Sequence, residues 1–249
     1  MLDLHDRVAL VTGGGTGIGF EVSSRLAEQG AHLAIAYSRS QDEAERAAAT
    51  LRDRGARCLV RRCNLAKVSE IEDLVAAVVA EYGRLDVVVY AAGTTQFVPF
   101  PDLEAVAEDV WDEIFDVNLK GAFFVARAAG RWIREHGDDG VIVNVASIAG
   151  IVPGGSSLPY AVSKAGVIHL TKSLAVALAP KVRVNAVAPG LVLTRWWTGR
   201  GVDTEPVVLS TRFKRALDAG EVGDAVLHLV RNSSISGQTL TVDLANVLH

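Results

Sequence analysis

A glycine-rich turn near the N-terminus is the feature that most constrains the fold of this chain. An apolar run at residues 7–12 precedes the turn, and helical spacing of apolar residues follows at 18–29. The turn itself reads Thr12-Gly-Gly-Gly-Thr-Gly-Ile-Gly19. Glycines let backbone N–H groups approach a pyrophosphate at a helix N-terminus, where the helix dipole favours negative charge. The stretch therefore predicts a strand, a phosphate-binding turn and a helix, with an ordinary tight turn as the alternative.

The glycine spacing differs from two other phosphate-binding patterns. Gly13, Gly17 and Gly19 follow GxxxGxG, whereas the common dinucleotide fingerprint is GxGxxG. A P-loop needs Lys and then Ser or Thr after its last glycine, and this chain has Phe20 and Glu21 there. Neither pattern fits.

Apolar runs alternate with helical segments through the rest of the chain. Strands are predicted at residues 7–12, 32–37, 57–62, 85–90, 141–146, 182–187 and 239–242. Helices are predicted at 18–29, 41–54, 68–82, 104–134 with a break near Gly121, 160–179 and 221–231. Such alternation is typical of a parallel sheet with helices on both faces. We therefore predict a single α/β domain over residues 1–249, doubly wound and Rossmann-type, with a seven-stranded parallel sheet in the order 3-2-1-4-5-6-7.

Composition narrows the classes of function. The 249 residues are 49% hydrophobic and include 23 glycines, which suits one large core around a buried sheet. The net charge is -4 with no basic block, so no nucleic-acid partner is expected. No apolar run reaches about 18 residues and no signal peptide is visible, so no membrane association is expected. Cys58 and Cys63 lack metal-ligand spacing and are expected in the core; no metal site is predicted, and a cytoplasmic location fits.

Three side chains suggest proton-transfer chemistry. Tyr160 and Lys164 stand four residues apart in a predicted helix, about one turn, so their side chains share a face. A phenol has a pKa of about 10, and a nearby ammonium is expected to lower it. Ser147 ends the predicted strand 141–146, at the sheet edge where open α/β proteins bind ligands.

Ser147 followed by Tyr160-Ala-Val-Ser-Lys164 resembles the catalytic signature of the short-chain dehydrogenase/reductase family. The turn TGxxxGIG, the stretch Asp116-Val-Asn118-Leu-Lys-Gly121 and the PGxxxT stretch from Pro189 to Thr194 also resemble family motifs. These motifs occur in the family's order along essentially the whole chain. The resemblance is to members such as β-ketoacyl-carrier-protein reductases.

The resemblance implies roles for individual residues. Tyr160 would be the general acid/base, and Ser147 would donate a hydrogen bond to the substrate carbonyl oxygen. Lys164 would bind the nicotinamide ribose, and Asn118, in a helix distortion, would anchor a water behind that lysine. The implied cofactor-binding residues are Gly13, Gly15, Thr16, Gly17, Ile18, Gly19, Ser38, Arg39, Asn64, Leu65, Ala91, Ala92, Gly93, Tyr160, Lys164, Pro189, Gly190, Val192 and Thr194.

The end of the second predicted strand favours NADP(H) over NAD(H). A carboxylate there would bind the ribose 2′-OH of NAD, whereas arginine accommodates the 2′-phosphate of NADP. This chain has Ser38 and Arg39, and its first acidic residue is Asp42 in the next helix. Thr16 counts against this assignment, because NADP-preferring relatives often carry a basic residue there. A solvated loop charge is the alternative role of Arg39.

Two stretches depart from the family pattern. Relatives usually read Asn-Asn-Ala-Gly where this chain has Tyr90-Ala-Ala-Gly93, so some bonds that brace the strand are expected to be missing. Relatives often end in VDGG, whereas this chain reads Val242-Asp243-Leu-Ala-Asn246.

A substrate lid is expected at about residues 191–220. It holds Trp196 and Trp197, which suggest a bulky, apolar or aromatic substrate; packing against a protein partner is the alternative. Its basic residues are expected to form a solvated surface, with an acidic carrier protein as the alternative partner. The resemblance also implies a homo-oligomer, commonly a tetramer.

The predicted function is the NADP(H)-dependent interconversion of a ketone and a secondary alcohol. Two alternatives remain at this point. One is an NAD-dependent alcohol dehydrogenase of the same family, and the other is a non-catalytic nucleotide-binding protein. The complete Ser-Tyr-Lys set argues against the second, because a binding protein needs no proton donor.

Overall fold

The structure is a computed structural model that describes residues 1–197 and 203–248. Its strands are β1 (Val8–Thr12), β2 (His32–Tyr37), β3 (Cys58–Arg62), β4 (Val87–Tyr90), β5 (Gly140–Val145), β6 (Val182–Pro189) and β7 (Thr239–Val242). All seven are parallel and form one sheet in the order β3-β2-β1-β4-β5-β6-β7. The predicted Rossmann-type α/β fold and its strand order are therefore confirmed.

Helices cover both faces of the sheet. They are α1 (Gly17–Glu28), α2 (Gln41–Asp53), α3 (Val68–Tyr82), α4 (Glu108–Phe115), α5 (Gly121–His136), α6 (Leu158–Ala177), α7 (Glu205–Ser210) and α8 (Ala219–Arg231). Successive strand residues point to opposite faces. Val11 and Ile35 accordingly pack in the core formed with α1, α2 and α8, whereas Leu10 and Ala36 pack in the core formed with α3 and α5.

The strand order reverses at β1, which pairs with β2 on one side and β4 on the other. Thr12 at the end of β1 lies beside Ala36 and Tyr90. Open α/β sheets bind ligands in the crevice outside the strand ends at such a reversal. The glycine-rich turn begins at this point.

The region predicted as one helix at 104–134 is divided into several pieces. A short 3-10 turn (Leu103–Ala105) precedes α4, and a π-helical turn (Asp116–Lys120) joins α4 to α5. The expected break near Gly121 is therefore present. Gly121 is required there because a Cβ atom would collide with the hydroxyl of Tyr90 and would lie 2.8 Å from the carbonyl oxygen of Leu65.

The predicted lid is described only in part. Residues 198–202 lie outside the described residues, and α7 occupies part of the segment that follows. Within residues 1–197 and 203–248, no helix is both long and apolar enough to cross a membrane.

Candidate active site

Ser147 and α6 are brought together by the turn that follows β5. The Ser147 hydroxyl oxygen accepts a 3.2 Å hydrogen bond from Ala149 N and so caps a 3-10 turn (Ile148–Gly150). A Cβ atom on Gly150 would lie only 2.5 Å from the carbonyl carbon of Lys164, so only glycine allows this close approach. Pro159 lies in the first turn of α6, where its missing N–H costs no helical hydrogen bond.

Tyr160 and Lys164 occupy neighbouring positions on α6. Lys164 is only 5% exposed, and its Nζ lies 5.7 Å from the centre of the Tyr160 ring. The ammonium donates a 2.8 Å hydrogen bond to the carbonyl oxygen of Val145 at the end of β5. The structure thus places Ser147, Tyr160 and Lys164 around one end of β5.

Burial dominates the proton affinities of this pair. It raises the pKa of Tyr160 to about 12, and a hydrogen bond with Ser147 acts in the opposite direction. It lowers the pKa of Lys164 to about 8. The expectation that Lys164 brings the phenol's pKa below its ordinary value is therefore not met, because desolvation of the phenolate outweighs stabilisation by its neighbours.

Asn118 lies buried in the π-helical turn, so the helix distortion expected at this residue is present. Its Oδ1 accepts a 2.8 Å hydrogen bond from Thr94 N, and its Nδ2 donates to Thr94 O at 3.1 Å. Nδ2 also donates to Ser163 Oγ on α6 at 3.0 Å. The Asn118 side chain therefore connects the loop after β4 to the helix that carries Tyr160 and Lys164.

The strand-bracing bonds are only partly lost at the departure from the family pattern. The hydroxyl of Tyr90, a residue that replaces the usual asparagine, donates a hydrogen bond to the carbonyl oxygen of Val117 in the π-helical turn. Ala92 N donates to Thr12 Oγ1 at 3.2 Å and ties β4 to β1. The sequence left the strand-bracing bonds in question, and at Tyr90 a brace is present because its long side chain spans the distance to the turn.

The glycine-rich turn has the backbone that a pyrophosphate site requires. Gly13 and Gly17 have φ values of +69° and +51°, in the region that favours glycine. A Cβ atom on Gly13 would lie 3.3 Å from Ala92 Cα, and one on Gly17 would lie 3.3 Å from Thr194 Cγ2. Helix α1 begins here without a side-chain cap and without an acidic residue in its first turn. These residues fit a dinucleotide, because the N-terminus of α1 lacks a side-chain cap and adjoins the cleft at Ile18, where its dipole favours a pyrophosphate.

A cavity of about 410 Å³ joins the turn to the Ser-Tyr-Lys group. It is lined by these predicted residues: Ile18, Ala91, Ala92, Gly93, Ser147, Tyr160, Lys164, Pro189, Gly190, Val192 and Thr194. Gly13, Gly15, Thr16, Gly17 and Gly19 form the adjoining turn, and Asn118 lies behind Gly93. No cluster of three or more metal-binding side chains occurs within the parts of the chain that the structure describes.

The remaining predicted cofactor residues lie at the ends of β2 and β3. Ser38 and Arg39 are exposed just after β2, and Arg39 lines a second cavity with Thr94, Gln96 and Glu113, among others. Asn64 and Leu65 follow β3; the Asn64 Oδ1 accepts a 3.1 Å hydrogen bond from Ala66 N, and Leu65 is buried.

Sequence reasoning missed one basic residue at this end of the cleft. Arg62 is the last residue of β3, pairs in register with Tyr37, and donates from Nε to Ser38 O at 3.4 Å. The predicted strand order, which places β3 beside β2, was the signal that could have identified it.

Sequence reasoning identified the two tryptophans of the outer cavity wall but missed several of its other residues. Trp196 stands with its ring centre 5.7 Å from that of Tyr160, and Trp197 packs edge-on against Phe97 at 5.3 Å. The outer lining residues that sequence reasoning missed include Val152, Pro153, Val207, Asn246 and Val247. No motif marks Asn246 and Val247, since only the tertiary fold returns the C-terminal segment to the cavity.

Known proteins resemble this chain over nearly its whole length. A profile of the family described as short chain dehydrogenase matches residues 7–203. A Streptomyces violaceoruber protein, named as ketoacyl reductase 2 of the granaticin polyketide synthase, is 41% identical, covering 95% of this chain and 94% of that protein. A 3-oxoacyl-[acyl-carrier-protein] reductase of Staphylococcus epidermidis is 32% identical, covering 96% of this chain and 98% of that protein.

A solved structure supports the same assignment. A variant of actinorhodin polyketide ketoreductase with NADPH superimposes with a TM-score of 0.88 at 32% identity, covering 99% of this chain and 100% of that chain. With the fold, the glycine-rich turn and the Ser-Tyr-Lys group in place, these matches establish that the chain belongs to the short-chain dehydrogenase/reductase family and is an NAD(P)-dependent, ketoreductase-like oxidoreductase.

Proposed function

We propose that the chain is an NADP(H)-dependent ketoreductase that uses Tyr160 as its general acid/base. The observation that carries this proposal is the convergence of Ser147, Tyr160 and Lys164 on one cavity, which the glycine-rich turn adjoins. A buried phenol beside a buried ammonium has no evident structural use, since burying both groups costs free energy.

Each side chain has a defined part in the reduction of a ketone. The bound nicotinamide supplies hydride to the carbonyl carbon. Tyr160 gives its proton to the carbonyl oxygen, so that a ketone, a hydride and a proton become a secondary alcohol. Ser147 donates a hydrogen bond to that oxygen and stabilises the negative charge that develops on it. The reverse reaction uses the same groups, with Tyr160 as the base.

Lys164 and Asn118 are proposed to assist Tyr160 in proton transfer. Lys164 is proposed to hold the nicotinamide ribose and to supply positive charge next to the phenol. Asn118 holds the loop after β4 through both atoms of its amide and, by family resemblance, anchors a water of the proton relay. Gly93 lies where these two side chains meet: a Cβ atom there would lie 3.4 Å from Asn118 Oδ1 and 3.7 Å from Lys164 Nζ.

The preference for NADP(H) rests on the positive charge at the ends of β2 and β3. The Arg39 side chain is exposed and accessible to a 2′-phosphate, and Arg62 lies beside Ser38. No acidic side chain precedes Asp42 after β2. The actinorhodin ketoreductase, similar in fold and sequence, was solved with NADPH.

The substrate is proposed to be a bulky, apolar or aromatic ketone. Two tryptophans and the side chains of Val152, Pro153 and Val247 line the outer cavity. Two relatives are named as a ketoacyl reductase of a polyketide synthase and a polyketide ketoreductase, which supports a ketone as the substrate.

We also propose that the chain forms a homotetramer in the cytoplasm. Apolar side chains are exposed on two adjacent helices: Phe123 on α5 is 39% exposed, and Val162 and Val176 on α6 are 44% and 82% exposed. Burial of such side chains between copies would remove apolar surface from water. Sedimentation of the purified protein measures this association.

The decisive experiment is oxidation of NADPH and NADH by the purified protein over a panel of ketones. Turnover with NADPH that is absent in Tyr160→Phe, while that variant still binds NADPH, is the expected result. Preference for NADH would overturn the cofactor assignment alone and favour the NAD-dependent alternative. Undiminished turnover by Tyr160→Phe would overturn the acid/base role, and binding of cofactor without turnover of any ketone would favour a non-catalytic binding protein.

A further inference from the structure

Ser163 lies on α6 between Tyr160 and Lys164, and the roles assigned above leave it unused. Its side chain is fully buried, with 0% exposure. Its hydroxyl donates a 2.7 Å hydrogen bond to the carbonyl oxygen of Tyr160, and its oxygen accepts a 3.0 Å hydrogen bond from Asn118 Nδ2. One hydroxyl thus contacts both the backbone of the proton donor and the asparagine of the π-helical turn.

This hydroxyl and the backbone of Thr94 together fix which way the Asn118 amide faces. A carbonyl oxygen can only accept, so the single hydrogen of Ser163 is committed to Tyr160 O, and its lone pairs remain for Asn118. Asn118 therefore presents its NH₂ group to Ser163, which is the same orientation in which Oδ1 accepts from Thr94 N at 2.8 Å and Nδ2 donates to Thr94 O at 3.1 Å. The flipped amide would set Oδ1 against the Ser163 oxygen and NH₂ against the Thr94 N–H, so both contacts would be repulsive.

The orientation of this amide matters for the site because Asn118 and Lys164 face the same point. Asn118 Oδ1 and Lys164 Nζ would lie 3.4 and 3.7 Å from a Cβ atom on Gly93. Gly93 lines the cavity together with Lys164, and the next residue, Thr94, is held by Asn118. Rotation of the Asn118 amide would break its hydrogen bonds to Thr94 and would change the environment of the Lys164 ammonium.

We propose that Ser163 is a positioning residue for catalysis. It adds the hydrogen bond that ties the Asn118 amide, already bonded to Thr94, to α6, and thereby holds the π-helical turn and the loop after β4 in place against Tyr160 and Lys164. The proposal rests on the function proposed above, in which Tyr160 is the proton donor.

The same helix offers a matched control at Thr171. This residue is also fully buried, donates from Oγ1 to Val167 O at 2.8 Å, and accepts a 3.0 Å hydrogen bond from Asn144 Nδ2. The arrangement repeats that of Ser163, but the partners of Thr171 are Val167 and Asn144, whereas those of Ser163 are Tyr160 and Asn118. Thr171→Val therefore removes an equivalent buried hydrogen bond, with its cost in stability, at a position outside the site.

The first test compares Ser163→Ala with Thr171→Val in steady-state ketone reduction and in urea unfolding. We expect both variants to lose stability, and only Ser163→Ala to lower kcat, about tenfold or more, with KM changed by less than about threefold. Ser163→Cys, which keeps the side-chain size with a weaker acceptor, serves as the second variant should the alanine fail to fold, and its kcat should also fall. Equal kcat in the Ser163 and Thr171 variants, within about twofold, would overturn the proposal and leave Ser163 a purely structural role.

The second test asks whether Ser163 acts through Asn118. In an Asn118→Ala background, the Ser163 substitution should lower kcat by less than about twofold further, because the amide that it orients is gone. Fully additive losses would overturn the proposal. Tyr160→Phe, assayed on the same ketone, distinguishes failure of this proposal from failure of the proposed function. If Tyr160→Phe is inactive and Ser163→Ala keeps full activity, only the role of Ser163 is rejected. If Tyr160→Phe is active, the proposed function itself is rejected.

Discussion

Lys164 Nζ donates a 2.8 Å hydrogen bond to the carbonyl oxygen of Val145, the last residue of β5. Ser147 follows two residues after Val145, so the ammonium is tied to the main chain that positions the Ser147 hydroxyl. This bond places the lysine on the sheet side of Tyr160. It also offers the buried ammonium a polar partner, without which its burial would cost more.

Ketone reduction is expected to lose rate above the pKa of Lys164. Burial lowers that pKa to about 8, so the ammonium is present below this pH and is lost above it. Burial raises the pKa of Tyr160 to about 12, so the phenol keeps its proton over the same range. The rate of reduction should be level at low pH and fall about tenfold per pH unit beyond the lysine pKa. Initial rates between about pH 6 and about pH 10 measure this, and a rate that climbs through that range would contradict it.

Ser147→Ala should lower kcat for ketone reduction by about 10²- to 10³-fold, because it removes the donor to the developing oxyanion. It should also cost about 1 kcal/mol of unfolding free energy, since Ser147 caps the turn at Ala149. Steady-state kinetics and urea unfolding measure the two effects separately. Ser173→Ala is the control: that hydroxyl lies exposed on α6 and donates a 3.2 Å hydrogen bond to the carbonyl oxygen of His169. A kcat loss of less than about threefold in Ser147→Ala would count against the oxyanion role.

Arg39→Asp should weaken NADPH binding about 10- to 100-fold and leave NADH binding nearly unchanged, because it removes a charged partner of the 2′-phosphate. Calorimetric or fluorescence titration of each cofactor gives both dissociation constants. Arg46→Asp on the exposed side of α2 makes the same change of net charge away from the cleft. An unchanged ratio of the two affinities in Arg39→Asp would show that Arg39 is a solvated loop charge.

Trp196→Ala should reduce kcat/KM for a bicyclic aryl ketone about tenfold and leave a small ketone such as butanone nearly unaffected. The indole stands 5.7 Å from the Tyr160 ring and would pack against a large substrate at the reacting carbonyl. Trp111→Ala removes a tryptophan of α4 that stacks on Phe115 and does not line the cavity. Equal losses for large and small ketones would indicate a general effect on the site rather than recognition of substrate size.

Ala245→Gly should stabilise the protein by about 0.5–1 kcal/mol. Ala245 and the preceding Leu244 have φ values of +59° and +56°, which side chains other than glycine rarely adopt. The Asp243 carboxylate holds this turn by accepting from Ala245 N and Val247 N at 3.1 and 2.6 Å. Denaturant unfolding measures the change. Ala76→Gly, on the exposed side of α3, is the control with the opposite expected effect. It should lower the free energy of unfolding by about 1 kcal/mol, because alanine suits a helical backbone better than glycine does. Destabilisation by Ala245→Gly would show that contacts of the methyl group outweigh the backbone strain.

The sequence by itself determined the fold and the chemical groups at the centre of the site. Alternating apolar runs and helical segments could be buried only as a parallel sheet covered on both faces, and the glycine-rich turn identified the first strand and the phosphate end of the cleft. The sequence was enough to identify Ser147, Tyr160 and Lys164 because their relative positions depend on local structure. Ser147 lies at the end of a strand, and Tyr160 and Lys164 are one helical turn apart. The order of the sheet followed from the connections between successive strands.

Only the tertiary structure decided the surroundings of these groups. Burial raises the pKa of Tyr160, and Lys164 does not lower it below the ordinary value. This balance depends on how many atoms pack around the Tyr160 and Lys164 side chains, which the spacing of residues in the sequence does not reveal. The brace from Tyr90 to Val117, the link from Asn118 to Ser163, and the return of Asn246 to the cavity join residues far apart in the chain. The spacing of residues in the sequence determines the geometry within one helix or one turn. Contacts between segments far apart in the chain form only when the whole core packs.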